Sequence, residues 1–389
     1  MLVGAVTVED AVSHQDQSPS CLALGMAMTL WMFTGGTCHV GEMYRAKDQV
    51  LESSDADTAE DVLWESGGAT GNLAAFLESS ANVTRCAHLS AFVQTLELHG
   101  MRRVDPMDRR HLHPLVIPVA VSPTSGSHTC MLRMPSASKG DMLPIVETTG
   151  QTGLRLVAPN TRSYLMRLAV EADESADEGK KSAVIEAANS AGELYKRGEK
   201  KEKSPSLSLT KYILSKVGAF PDLYEELALH HLERGDQTAA LVAAERSAKI
   251  QHGWGSGYRF QALLYTKLGR EKEAKDAAKL ALMMPLWTLG EQVEEVSRQA
   301  GEADVKAFKQ KIAEMSKSTR TIEMSQACHG HPLEKAKEEA MLERADDIMN
   351  EVCLGTYKGW DDVRSQLAEI YMGGGRMDLA SFVQAHSER

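Results

Sequence analysis

Aromatic residues make up only 5% of this 389-residue chain, against 19 methionines. That scarcity excludes an aromatic-rich β-sandwich and favours helix-on-helix packing with adaptable fillers. Six cysteines (Cys21, Cys38, Cys86, Cys130, Cys328 and Cys353) are scattered without a CxxC pair. A disulfide framework is thereby excluded, and free thiols in a reducing compartment are expected, whether cytosol or the interior of a plastid or mitochondrion. Positive charge is not in excess: 43 Lys and Arg face 54 Asp and Glu, a net of −11. A dedicated nucleic-acid binder needs the opposite balance to displace counterions from phosphates. Long apolar runs are also missing. The longest, CLALGMAMTLWMF at 21–33, has 13 residues, whereas a membrane span takes about 20. Acids rather than bases precede it, which argues against a signal peptide, and no Arg- and Ser-rich transit pattern is visible. The run reads as a buried helix, with docking against a partner or the face of a membrane complex as the alternative.

Catalytic and cofactor signatures are absent too. Gly373-Gly374-Gly375-Arg376 lacks the spacing of a phosphate-binding loop, and there is no GxSxG elbow or HExxH helix. The His and Cys groups are Cys38-His39, Cys86-Ala87-His88, His111-Leu112-His113 and Cys328-His329-Gly330-His331. None has the four-ligand spacing of a structural zinc site. His111 and His113 would share a face if they lay on a strand. No catalytic, cofactor or metal site is expected. The sequon at Asn82 falls in a helical-looking stretch and reads as a chance match.

Composition is otherwise that of a globular protein, 43% hydrophobic and 25% charged, and the length predicts two or three domains. Residues 1–110 are acidic, with 7 bases and 15 acids, and read as helices. One is expected from Thr58 to about Gly67, one from Asn72, and one from Asn82 to a stop at Gly100. Residues 111–165 change character. HPLVIPVAV, HTCMLRM, LPIVE and GLRLVA are short β-branched or apolar runs separated by turn-rich SPTSGS, PSASKGD and TTGQT. They predict a four-stranded antiparallel meander, with Pro114 and Pro118 placing the first strand at an edge. Asn160 is placed to cap the next helix. Residues 166–389 read as helix almost throughout. The Lys-rich run 196–204 is interrupted by Glu199 and Glu202 and reads as a solvated loop. The overall expectation is a mainly α protein with a small β meander in its middle.

The last region contains a repeat. Tyr224, Ala228, Gly235, Ala240 and Ala244 recur 34 residues on as Tyr258, Ala262, Gly269, Ala274 and Ala278. Leu227, Ala228 and His231 share one helix face, as do Ala262 and Tyr265. The alanines, spaced by four on a second helix, let helices approach closely, and the glycines serve a tight turn. A helix–turn–helix period of 34 resembles the tetratricopeptide-repeat family. Tyr265, Ala281 and Pro285 add to the match, which is clearest at 222–286 and looser over 181–389. Leu367, Ala368, Tyr371, Gly375 and Ala380 resemble a further partial copy, and Ala191 to Gly198 with LTKYILSKV a degenerate one.

The resemblance implies stacked hairpins whose first helices line a concave face that takes a protein helix or extended peptide. The residues it assigns to that groove are Glu225, Leu229, Glu233, Arg259, Leu263, Thr266 and Lys267, with Asp222 beside them. The family's clamp for chaperone tail carboxylates uses Lys, Asn and Arg, and the acidic first copy departs from it. RNA-reading helical repeats would want a basic groove. The expected function is therefore a non-catalytic scaffold, assembly factor or accessory subunit acting on proteins. Two alternatives are an accessory subunit of a large photosynthetic or respiratory membrane complex, and an enzyme with its site in 1–165 and the repeats as a regulatory arm.

Overall fold

A computed structural model describes residues 69–386, apart from 84–85, 87, 136–141, 151, 291 and 327–332. The expected helix from Thr58, the apolar run 21–33, and the Cys38-His39 and 328–331 groups lie outside the described residues. The chain divides into two compact units, 1–37 with 313–328 and 38–312 with 329–389. The described part of the first is the C-terminal stretch of one helix. All the other described elements belong to the second.

That second unit is mainly helical, with a small antiparallel sheet in the middle of the sequence. It opens with α1 (Ala69–Ser79) and α2 (Leu89–Leu98). The sequence places the start of α2 at Asn82. Asn82 instead has φ +49, and the chain turns before Leu89. The stop at Gly100 is made by a left-handed glycine (φ +81), with Met101 N–H returning to Leu96 O at 3.1 Å.

The sheet is β1 (Arg102–Arg103), β2 (Val116–Val121), β3 (His128–Leu132), β4 (Ile145–Thr148) and β5 (Arg155–Ala158), paired in chain order and antiparallel throughout. Four strands fall on the four expected runs. The fifth, β1, is a two-residue edge too short to leave a pattern. It pairs only with Val121 and Ala120, so β2 is an interior strand there. Pro118 is accommodated because the β2–β3 register shifts between Pro118 and Ala120, and a bulge spares a ladder donor. Every residue of β2 is buried.

Asn160 caps α3 (Thr161–Asp173), its side chain accepting from Ser163 N–H at 2.8 Å. Next come α4 (Glu178–Ala188), α5 (Glu199–Lys203) and α6 (Leu209–Lys216). Residues 191–198, suggested as a degenerate repeat, are not helical. Asn189 holds them as a loop, accepting from Leu194 and Tyr195 N–H and donating to Tyr195 O. The Lys-rich run contains α5, and Lys200 within it is buried, its ammonium paired with Glu174 at 3.2 Å.

Four helices then follow at regular spacing: α7 (Pro221–Glu233), α8 (Gln237–Ile250), α9 (Gly255–Lys267) and α10 (Glu271–Met283). The starts of α7 and α9, and of α8 and α10, are 34 residues apart. Each hairpin turns the same way. Gly235 and Gly269 take φ +78 and +71. Asp236 N–H returns to His231 O, and Arg270 N–H to Tyr265 O, both at 2.9 Å. These are six-to-one caps that satisfy the last carbonyls of a helix. Ala228, Ala240, Ala243 and Ala244 form a small-residue core with Phe260 and Leu264.

A short 3₁₀ turn at Leu286–Leu289 ties the hairpins to the sheet. Trp287 O accepts from Leu154 N–H at 2.8 Å, and Thr288 Oγ1 from Gly255 N–H at 2.8 Å. The chain ends in α11 (Val293–Ala300), α12 (Val305–Gln326), α13 (Leu333–Cys353), α14 (Arg364–Gly373) and α15 (Met377–Gln384). Asn350 Oδ1 of α13 accepts from Leu286 N–H at 2.7 Å, which ties the same turn to that helix. The α14–α15 turn repeats the hairpin cap: Gly375 has φ +80 and Arg376 N–H meets Tyr371 O at 2.8 Å.

One apolar cluster runs from Leu73 to Val383 and joins α1, α2, the sheet, α3 and α13 to α15. Buried arginines hold its polar seams. Arg109 donates to Val116 O at 3.0 Å, Ala385 O at 2.8 Å, Phe382 O at 2.5 Å and Pro114 O. Its guanidinium also lies 4.1 Å from the Phe382 ring centroid. Arg364 donates to Val383 O, Arg109 O and Leu112 O. Among the described residues, no helix is long and apolar enough to cross a membrane.

Candidate partner-binding face

The first helices of the hairpins, α7 and α9, carry the predicted groove, and the structure divides its residues into two sets. One set is consumed by contacts between helices. Asp222 accepts two hydrogen bonds from Arg167 of α3, at 2.8 and 2.7 Å, and Arg167 stacks 4.9 Å from the Phe220 ring. Burial opposes the charge on Arg167, but Asp222 and Glu171 outweigh it and raise its pKa. Glu225 accepts from Ser247 Oγ at 3.3 Å and Gln251 Nε2 at 3.4 Å of the neighbouring segment. Burial raises its pKa above the usual carboxylate range, against the pull of Arg259. Arg259 donates to Gln292 Oε1 at 2.6 Å. Thr266 accepts from Gln299 Nε2 of α11 at 2.7 Å while donating to Ala262 O. Leu229 is half-buried against the alanine core.

The second set faces solvent. Glu233 and Lys267 are exposed at equivalent ends of α7 and α9, and Leu263 is an exposed leucine one turn from Lys267. Of the predicted groove, therefore, Glu233, Leu263 and Lys267 are free to meet a partner. Glu225, Arg259 and Thr266 form a polar ladder that fixes one helix against the next. Sequence periodicity gives the face of a helix; it does not reveal which long polar side chains reach back to a neighbour.

The metal readings resolve on geometry. His111 and His113 do not share a face. His111 has φ +62 and is exposed, its Nδ1 3.1 Å from Asp361 Oδ2. His113 is fully buried, its ring centroid 4.8 Å from Trp287 and 4.4 Å from Trp360. A turn, not a strand, joins them, so side-chain alternation does not apply. Cys86 donates to Thr161 Oγ1 at 3.4 Å. Among the described residues, no group of three or more His, Cys, Asp or Glu side chains converges as a metal site.

Sequence reasoning missed the joint beside this face. Trp254 and Trp287 meet edge to face at 5.6 Å, and His113 and Trp360 complete the cluster. All three tryptophans are buried. The signal was five Trp in an aromatic-poor chain, but their separation in sequence gave no hint of contact.

The fold and this face define an α-rich protein in which helical hairpins are docked on a small sheet. Its sequence matches the PAB N-terminal domain over 71–216, the PAB middle domain over 221–306 and the PAB C-terminal domain over 291–386. Those three matched stretches lie in order along the described chain. The boundary between the first two falls in the link between α6 and α7. A relative from Arabidopsis thaliana, "Protein IN CHLOROPLAST ATPASE BIOGENESIS, chloroplastic", is 37% identical over 225 residues. The match covers 57% of this chain and 66% of the relative, just under two thirds of its length. No solved structure matches.

Proposed function

We propose that this protein is a non-catalytic assembly factor for a plastid protein complex, and that the complex is the chloroplast ATPase. The observation that carries the reading is the 37% identical Arabidopsis relative, which is named for chloroplast ATPase biogenesis. The same name favours a biogenesis role over both the enzyme reading and the permanent accessory subunit. It also favours the plastid over the cytosol, and free thiols fit a reducing stroma.

On this reading the protein holds other proteins, through tetratricopeptide-like hairpins. The 34-residue spacing of α7 to α10 and their identical glycine caps support that resemblance. The contact surface is the exposed part of the α7–α9 face, Glu233, Leu263 and Lys267, and it takes a helix or extended peptide. The interhelix ladder below it keeps the face rigid, which lowers the ordering cost of binding.

The test is depletion of the protein in its source cells, with assembled ATPase resolved on native gels. Assembled enzyme should fall while its subunits are still synthesised. Normal assembly after depletion would sink the reading. Rescue with the Leu263→Asp/Lys267→Glu double variant tests the face: the variant should accumulate as folded protein yet fail to restore assembly.

A further inference from the structure

The outer half of α12 is a helix that its own sequence does not explain. Residues 316–322, Ser-Lys-Ser-Thr-Arg-Thr-Ile, are mostly serine, threonine and isoleucine, the weaker helix formers. The helix nevertheless runs unbroken from Val305 to Gln326. Alone in water, a helix shorter than about 12–15 residues is marginal even with good formers. Residues 313–326 therefore need cover from another segment.

The stripe that would take such cover is in place. Val305, Phe308, Ile312, Met315, Thr319 and Ile322 recur at alternating steps of three and four, the spacing that packs one helix along another. Its cover thins along the helix. Val305 is buried, Phe308 and Ile312 are half-buried, and Ala313, Glu314 and Met315 are exposed, Met315 at 44%.

The chain itself says what lies on the stripe. The compact unit that holds 313–328 is completed by residues 1–37. Within 1–37 lies the apolar run CLALGMAMTLWMF, at 21–33. As a helix it would be about 20 Å long, against about 21 Å for 313–326, at 1.5 Å per residue. Charge agrees with the pairing. Residues 1–37 carry Glu9, Asp10 and Asp16 and no Lys or Arg, whereas on the outer part of α12 Lys311, Lys317 and Arg320 outnumber Glu314 and Glu323.

We infer that residues 21–33 pack as a helix along the Ile312, Met315, Thr319 and Ile322 stripe of the same chain. The outer half of α12 is then the docking strip for the protein's own apolar run, not for a second copy or a client. Each segment supplies what the other lacks: the run gains an apolar partner, and the weak helix gains the packing that holds it. The inference is independent of the α7–α9 face.

The experiment uses the purified full chain with no other protein present. Met28→Cys/Thr319→Cys puts a thiol at the middle of each segment, so the pair is close whichever way the run points. Packed helices lie about 8–10 Å apart, within reach of a short bismaleimide. Linked peptides are read by mass spectrometry on a mixture of heavy-isotope and normal chains, and links should join positions 28 and 319 of one chain. Hydrogen exchange is read alongside. Amides in 313–326 should exchange at least about tenfold more slowly than an unstructured chain. Leu24→Asp/Met28→Asp should remove that protection and leave α7 to α10 protected as before. Links between heavy and normal chains would assign the strip to a second copy, and unprotected 313–326 in the lone chain would assign it to a client. Either result overturns the inference, as does the absence of a 28–319 link or protection that survives Leu24→Asp/Met28→Asp.

Discussion

Gly257 of α9 lies so close to Ala248 of α8 that a methyl group built on it would sit 2.6 Å from the Ala248 Cα. The second helix of one hairpin and the first helix of the next thus meet backbone to backbone. This contact, together with the small apolar core that Phe260 and Leu264 share with the alanines of the first hairpin, holds the two hairpins stacked.

Replacing Gly257 with valine must separate those helices. Overpacking of this kind costs about 1–3 kcal/mol. The expected result is a lower urea midpoint with an unchanged slope, and a slope that changes would mean that the two hairpins no longer unfold with the rest.

Gly269 tests a different term. No atom lies within 4 Å of the position its Cβ would take, yet φ is +71. Gly269→Val therefore carries backbone strain without a clash, about 1–3 kcal/mol. Ala278→Trp, at a fully buried site in the same hairpin, carries the clash without the strain. Both should lower the Tm, and tolerance of both would refute the stacked-hairpin arrangement.

Arg109 joins the sheet to the last helix through four carbonyl oxygens. Arg109→Met leaves those acceptors buried without a donor, at about 1–3 kcal/mol for each one that water does not reach. The loss should be at least about 3 kcal/mol in total. Limited proteolysis should then cut first near α15, which loses its ties at Phe382 and Ala385. Unaltered digestion would show that the apolar contacts of Phe382 and Val383 hold the helix unaided.

His113 makes stability depend on pH. Burial, followed by the charges of Arg364 and Arg109, pulls its pKa well below the usual value. The folded state therefore keeps it neutral at pH values where the unfolded chain binds a proton. Since the unfolded state takes up more protons, stability falls as pH drops below about 6.5, by up to about 1.4 kcal/mol per unit from this residue. Above that pH the contribution is flat. His113→Phe should flatten the slope between pH 6.5 and 5 in chemical denaturation. His88 and His128, whose pKa values are also lowered, act in the same direction. Asp346, whose pKa burial pushes up to about 7, acts in the opposite one.

The hairpins were legible because their physics is local. A glycine two residues past a helix end, small residues at spacing four and a 34-residue beat all lie within one short window. Asn160 as a cap and the four longer strands were legible for the same reason. The start of α2 was not. The sequence from Asn82 carries a helical apolar pattern, but Asn82 takes a positive φ and Ala81 and Val83 are buried in the core. In the predicted groove, local spacing placed the residues on the first helices of the two hairpins. The neighbours Ser247, Gln251, Gln292 and Gln299 then decided that Glu225, Arg259 and Thr266 are bracing residues.

By itself, the sequence determined a mainly helical chain, a short antiparallel meander and the period of the hairpins. Each follows from composition or from interactions a few residues long. Only the tertiary structure decided that Arg109, His113, Trp287 and Arg364 belong to one interior. These residues are up to 255 apart in sequence, and no local pattern encodes the match between a buried guanidinium and the carbonyls of a distant helix. That match decides which strand end is sealed and which histidine is buried.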